Sequence, residues 1–272
     1  MRIACAQSNV LFGDSEGNAK AAIAKLRGLK ADGVDFVVFP EAYLTGYCVS
    51  TEDQAKGIAI SKDSPALQAL ETACNELDIL AVVGFAELDG ETVFNTAVLF
   101  EPGKAPRYYR KTHLPFLGLD KFVCAGEELP IFETRLGRIG ILICFDLRPP
   151  EATRVLALAG ADILILPTNW PVGAETSAEH IAIARAAENR IYVATCNRVG
   201  DENGFTFIGR SKIVGVGGQV LSAAGGEEET IVATVDLELA RQKRTVNIPG
   251  LYETEVFASR NPNLYSPIIK SI

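Results

Sequence analysis

Residues 137–151 read Gly137-Arg138-Ile139-Gly140-Ile141-Leu142-Ile143-Cys144-Phe145-Asp146-Leu147-Arg148-Pro149-Pro150-Glu151. From Ile139 to Ile143 the run is apolar and rich in β-branched side chains, the pattern of a buried strand. It stops at Cys144. Behind it, Asp146 has the chemistry of a helix N-cap, and Pro149-Pro150 with Glu151 marks a helix start. A strand feeding into a helix is the repeating unit of an α/β fold, and Cys144 stands at its corner. A side chain at that corner is carried by a rigid strand and faces a cleft. The adjoining helix N-terminus is expected to lower the thiol pKa and favour the thiolate. The competing reading is a buried structural cysteine, a common place for that residue type.

The same alternation extends in both directions. Upstream, residues 2–8 read as a strand and 16–31 as a helix with Ser15 as its cap. Residues 34–39 form a second buried strand, stopped by Pro40 and followed at once by Glu41. Residues 52–63 are polar and indistinct, and Ser64-Pro65 opens a helix through Leu77. Strands at 79–86 and 92–100 join through Asp89-Gly90, and a short strand, 107–110, ends at Lys111. Residues 112–130 make a long loop, and loops of that length in a compact domain are usually functional. Downstream come a helix near 150–159, a strand at 161–166 ending in Pro167-Thr168-Asn169-Trp170, an Ala-rich helix at 175–190 and a strand at 191–196. A hairpin of 207–214 with 219–223, a strand at 230–235 and a short helix from 237 follow. Residues 247–272 show no clear element and read as a C-terminal tail. No linker interrupts the pattern, so residues 1–272 read as one α/β domain. The strand pairs without a helix between them argue against a plain doubly wound sheet.

Composition narrows the function classes. The chain is 48% hydrophobic and 22% charged, a globular balance. Its net charge of −8, with no basic run, argues against nucleic acid as a partner. No apolar stretch reaches membrane-spanning length, and no signal segment precedes the first strand. The six cysteines are scattered, with no CxxC pair, which speaks against a zinc site or a disulfide framework and for a reducing cytoplasm. Two histidines, His113 and His180, do not make a His-rich metal site.

Glu41, Lys111 and Cys144 share one placement: each follows an expected strand directly or after one proline. Their chemistry is complementary. A thiol needs a base, and a desolvated carboxylate with a raised pKa is one. An ammonium stabilises the oxyanion of a tetrahedral intermediate. Singly, each has an ordinary reading as an ion-paired acid, a surface cation and a core thiol.

Phe39-Pro40-Glu41, Tyr109-Arg110-Lys111-Thr112-His113-Leu114 and Ile143-Cys144-Phe145-Asp146-Leu147-Arg148 together resemble the three signature blocks of the nitrilase superfamily, the carbon–nitrogen hydrolases, in order and spacing. Leu44-Thr45-Gly46-Tyr47, Asn169-Trp170-Pro171, Asn197-Arg198-Val199-Gly200 and Phe207-Ile208-Gly209-Arg210-Ser211 extend the likeness. The resemblance implies an α-β-β-α sandwich, two sheets covered by helices, associating into αββα-αββα homodimers or larger homo-oligomers. It implies Cys144 as nucleophile, Glu41 as general base, and Lys111 with the Phe145 N–H around the oxyanion, with no metal or cofactor. Many members carry a second glutamate after the lysine block; Asp120 stands in that place here. True nitrilases usually follow the cysteine with Trp-Glu, whereas Phe145-Asp146 is similar to amidase-like and carbamoylase-like branches. A small-molecule amide substrate, with ammonia released, is therefore the leading expectation, ahead of a nitrile or an N-carbamoyl compound. Tyr47, Phe116, Asp120, Phe145, Asn169 and Trp170 are the expected substrate-binding residues. Trp170 is equally readable as a core aromatic. Three rivals remain: a Cys144–His113 enzyme, for which no Asn or Asp orienter stands out, a non-catalytic binding protein on the same fold, and a redox-sensing Cys144.

Overall fold

Several strands of this chain carry no polar face. In β1 (Arg2–Gln7), Ile3 and Cys5 enter one apolar cluster while Ala4 and Ala6 enter another. A strand with period-2 alternation between two apolar clusters must be covered on both sides. That requirement builds the layers seen in a computed structural model, which describes residues 1–270. Ser271 and Ile272 of the expected tail lie outside the described residues.

The first half supplies β1, α1 (Ser15–Ala31), β2 (Phe36–Val38), α2 (Glu52–Ile58), α3 (Pro65–Leu77), β3 (Leu80–Asp89), β4 (Thr92–Phe100) and β5 (Arg107–Arg110). The second half supplies β6 (Ile131–Thr134), β7 (Gly137–Ile141), α4 (Pro150–Leu158), β8 (Ile163–Pro167), α5 (Ala182–Asn189), β9 (Tyr192–Cys196), β10 (Val199–Glu202) and β11 (Phe205–Ile208). β12 (Lys212–Val214), β13 (Val220–Ala223), β14 (Glu229–Thr234), α6 (Leu237–Arg241), β15 (Arg244–Ile248) and β16 (Tyr252–Glu255) complete it. One six-stranded sheet runs β14-β1-β2-β3-β4-β5 and the other β13-β12-β9-β8-β7-β6. In each, three central strands are parallel and the flanking strands are antiparallel.

The sheets face each other through Ile3, Phe36, Val38, Leu80 and Val82 on one side and β7 and β8 on the other. Leu26 of α1 and Leu67 and Leu70 of α3 cover the outer face of the first sheet, against Val37, Ala81 and Val83. Leu156 of α4 and Ala182 and Ala186 of α5 cover the second. The α-β-β-α sandwich is the expected one.

Several local expectations are revised. The cap of α1 is Asp14, whose carboxylate accepts the Gly17 N–H at 2.8 Å, and Ser15 is already helical. Polar residues 52–63 contain α2, because Thr51 accepts the Gln54 N–H at 3.1 Å and opens a helix there. The Ala-rich helix begins with a π-helical turn, Ser177–Ile181, before α5. The 207–214 segment is two elements: Phe205–Ile208 folds back on β10, and Lys212–Val214 alone pairs with β13. The tail is not featureless; β15 and β16 form a hairpin whose residues are mostly exposed.

Candidate active site

β5 is antiparallel to β4, which is antiparallel to β3, so β2, β3 and β5 all point one way. Glu41 follows β2 and Lys111 follows β5, so both side chains emerge at the same end of the first sheet. The second sheet brings Cys144 from the end of β7 and Asn169 from the end of β8. The sheets are pinned together at this point by the Glu41 N–H donating to the Thr168 carbonyl at 3.4 Å.

Each corner is sharp. Cys144 has φ +47° and Ala42, beside Glu41, has φ +47°, the left-handed region that costs a non-glycine residue about 1 kcal/mol or more. A turn of 3-10 helix, Cys144–Leu147, carries the thiol round the corner, and α4 starts only at Pro150. Asp146 is therefore not the cap of that helix. Its buried carboxylate instead accepts the Ile143 N–H (3.0 Å), the Tyr109 hydroxyl (2.7 Å), the Thr112 hydroxyl (3.1 Å) and the His113 N–H (2.8 Å), and meets His113 Nδ1 at 2.8 Å. It is the strut that fixes the cysteine turn to the strand end bearing Lys111. His113 does have an acidic partner after all, and that partner is the strut itself, Asp146.

Glu41 and Lys111 are fully buried, and Asp120 is 4% exposed. Lys111 Nζ donates to Glu41 Oε1 at 2.7 Å and to Asp120 Oδ2 at 2.6 Å. The Tyr47 hydroxyl lies 2.7 Å from Asp120 Oδ2, and Asn95 Nδ2 reaches Glu41 Oε1 and Asp120 Oδ1, both at 2.8 Å. Burial alone would depress the Lys111 ammonium, but Asp120 and then Glu41 push it well above its ordinary value. Burial raises the Glu41 carboxyl; Lys111 opposes that and Asp120 adds to it. Burial, then the Glu41 charge, pushes the Cys144 thiol well up, with Lys111 and the Asn169 backbone N–H working the other way. The expected depression by a helix N-terminus is overturned: burial and the neighbouring Glu41 carboxylate push this thiol up, not down.

The expected binding residues divide. Tyr47 and Asp120 belong to the Lys111 cluster. Asn169 is 1% exposed, and neither its Oδ1 nor its Nδ2 has a partner; its backbone N–H faces the Cys144 sulfur. Trp170 is buried in the main apolar cluster, its backbone N–H held by Asn197 Oδ1 at 2.8 Å. Phe145 is 37% exposed, beside the thiol in sequence. Phe116 is 89% exposed, with Lys121 Nζ 4.9 Å from its ring, and is not gathered with the others.

Three supporting residues escaped the sequence reading. Asn95 had a signal, an amide in the middle of an otherwise apolar strand. Asn197 stands in a block that extends the family likeness, but no role is read for it there, and Glu202 had no signal that spacing reveals. The buried Glu202 carboxylate takes the Tyr47 and Cys48 N–H groups at 2.8 and 2.7 Å and pairs with buried Arg198 at 2.7 Å, so β10 holds the loop carrying Tyr47.

The chain belongs to the carbon–nitrogen hydrolase family, whose model matches residues 2–245. It is a carbon–nitrogen hydrolase of the nitrilase superfamily. A protein named nitrilase from Pyrococcus abyssi is 33% identical over 93% of this chain and 96% of its own length. An (R)-stereoselective amidase from a Pseudomonas species is also 33% identical, over 90% of this chain and 88% of its own. A 2-oxoglutaramate amidase from Bacillus subtilis is 30% identical over 89% and 93%. Among solved structures, a branch 10 member of the nitrilase superfamily from Saccharomyces cerevisiae superposes with a TM-score of 0.78 at 27% identity, over 89% of this chain and 92% of that one.

Proposed function

We propose that the protein hydrolyses the C–N bond of a small amide through a thioester on Cys144 and releases ammonia. The observation that carries this reading is the buried ammonium of Lys111 clamped between Glu41 at 2.7 Å and Asp120 at 2.6 Å, at the strand ends that also present the buried Cys144. A neutral thiol needs a base at the moment of attack, and a carboxylate lifted by burial is matched to that task.

In the proposed sequence Glu41 takes the Cys144 proton as sulfur bonds to the carbonyl carbon. The electron pair of the carbonyl moves onto oxygen, where Lys111 and the Phe145 N–H stabilise it. The pair returns, the C–N bond breaks, and Glu41 gives its proton to the departing nitrogen. Water then attacks the thioester while Glu41 accepts its proton; the acid leaves, and the proton returns to sulfur. Asp120 holds Lys111 in place with a side chain one methylene shorter than glutamate. The two unpaired atoms of Asn169 offer the substrate amide one donor and one acceptor; leaving such a buried group unpaired costs about 1–3 kcal/mol.

Phe145-Asp146 after the cysteine and the two relatives named as amidases favour an amide; the relative named nitrilase keeps a nitrile as the second reading. The exposed Val155 and Leu158 on the outer face of α4 support a homodimer through that layer, and molar mass in solution tests it. Six free thiols support a cytoplasmic setting. We treat 1–272 as a single hydrolase domain.

The test is ammonia release from small aliphatic and ω-amides, N-carbamoyl compounds and nitriles, beside Cys144→Ala. Amide turnover that vanishes in the variant is the expected result. A nitrile as best substrate moves the protein to the second reading. Turnover that survives in Cys144→Ala overturns the mechanism.

A further inference from the structure

Glu41 Oε1 is engaged twice, by Lys111 Nζ at 2.7 Å and by Asn95 Nδ2 at 2.8 Å, while Oε2 is buried and has no partner. A carboxylate so held does not rotate freely; its two oxygens are inequivalent. The second hydrogen of the same Asn95 amide goes to Asp120 Oδ1 at 2.8 Å. One amide therefore spaces two carboxylates that would otherwise repel across a single ammonium. Its own Oδ1 is buried without a partner, so the amide stays in the strand for what its nitrogen donates. Its backbone carbonyl accepts the Lys111 N–H at 2.8 Å, which ties the same residue to the third member of the cluster.

We propose that Asn95 is a positioning residue for this hydrolase, fixing Glu41 through Oε1 and Asp120 through Oδ1 so that Glu41 Oε2 is the oxygen that exchanges the proton with Cys144. This rests on Glu41 being the base. The charges that bear on Glu41 are Lys111 at the end of β5 and Asp120 in the 112–130 loop; the titratable groups that in turn face the Glu41 charge are Cys144 after β7 and Tyr47 and Cys48 in the loop after β2. Lys111 also donates to both carboxylates, as the charge they share; Asn95 is the neutral donor that bridges them and sets their spacing.

The test is Asn95→Leu, close in volume and unable to donate, with Asn95→Ser as a smaller variant that keeps one donor. Steady-state kinetics on the best amide and the pH profile of kcat/KM are read together with circular dichroism of the native state. The expected result is a fall in kcat of about tenfold or more with KM within about threefold. The acidic limb moves to higher pH, because Glu41 has lost a donor to its charged form. Asn95→Ser falls between. A merely structural loss would lower the folded fraction and leave the limb where it was. Asn95→Leu with a wild-type limb and kcat overturns the proposal; should that variant not fold, a wild-type limb in folded Asn95→Ser does the same. Glu41→Gln separates the two ideas: if it keeps wild-type kcat, Glu41 is not the base and the underlying reading fails; if it is inactive while Asn95→Leu is unchanged, only the role of Asn95 fails.

Discussion

Gly84, in the middle of β3, is an exacting position beside the Glu41 corner. A Cβ built on it would lie 2.5 Å from the Ala42 nitrogen, 2.7 Å from the Pro40 oxygen and 2.8 Å from the Glu41 Cα. All three are backbone atoms of the corner that presents Glu41, so no flexible side chain is available to give way. Gly84 does not have a positive φ, so the substitution Gly84→Ala tests contact and not backbone strain. To reach ordinary contact the corner must retreat by about 1 Å, at a cost of about 1–3 kcal/mol of stability, or roughly 3–10 °C in Tm at this chain length. A shift of that size at the base is worth about a hundredfold in kcat. Ammonia release under saturating amide and a thermal scan of the same preparation measure both. Gly28→Ala in α1, where a Cβ meets nothing within 4 Å, is the control and should be neutral or slightly stabilising. A Gly84→Ala enzyme with kcat within twofold of wild type would refute the claim that the Glu41 corner is held by contact with β3.

Because burial raises the Glu41 carboxyl and the base must be ionised, kcat/KM is expected to rise with pH through an apparent pKa above the ordinary 4.5; a profile flat down to that pH counts against it. His113→Ala should keep most of the activity. Its hydrogen bond to Asp146 raises the His113 pKa, so the pair's contribution is complete below the ordinary 6.5 and fades as pH climbs through the higher folded value. The variant's loss in Tm should accordingly be larger at pH 6 than at pH 8.5. Glu202→Ala leaves the buried Arg198 guanidinium unpaired and releases the Tyr47 loop, for a loss of about 3–5 kcal/mol, seen as a fall in Tm of roughly 10 °C.

The fold was legible where burial left a one-dimensional trace. Runs such as 161–166 and the Cys144 strand carry no polar residue on either face or only at their ends, so strand identity and sandwich layering followed. α2 was missed because its seven residues include one buried position, Ala55, too few for a period. The 199–208 hairpin was missed because Gly200 and Gly204 punctuate it as a loop would. Within the site, strand ends pointed to Glu41, Lys111 and Cys144, but not to which atoms face one another. Asp146 looked like a helix cap because its neighbours are prolines, and only three dimensions show its donors arriving from Tyr109, Thr112 and His113. Phe116 was expected in the pocket because its loop leaves Lys111; the 3-10 turn at Gly118–Lys121 tucks in Leu119, whose N–H bonds the Tyr47 carbonyl at 2.8 Å, and leaves Phe116 outside.

The two sheets share one plan. Read from β14 to β5 and from β6 to β13, both give an antiparallel strand, three parallel strands, an antiparallel neighbour and a reversal. Under that correspondence β2 matches β8, and Pro40-Glu41 matches Pro167-Thr168, the two corners that touch across the seam. The molecule is thus a pair of similar sheet-and-helix halves with unlike endowments: one half carries the Glu41 carboxylate and the Lys111 ammonium, the other the Cys144 sulfur. Neither half holds the proposed set alone. On the proposed mechanism, turnover is consequently a gauge of how the halves are docked, sensitive to a slide of one sheet over the other that leaves every strand and helix intact.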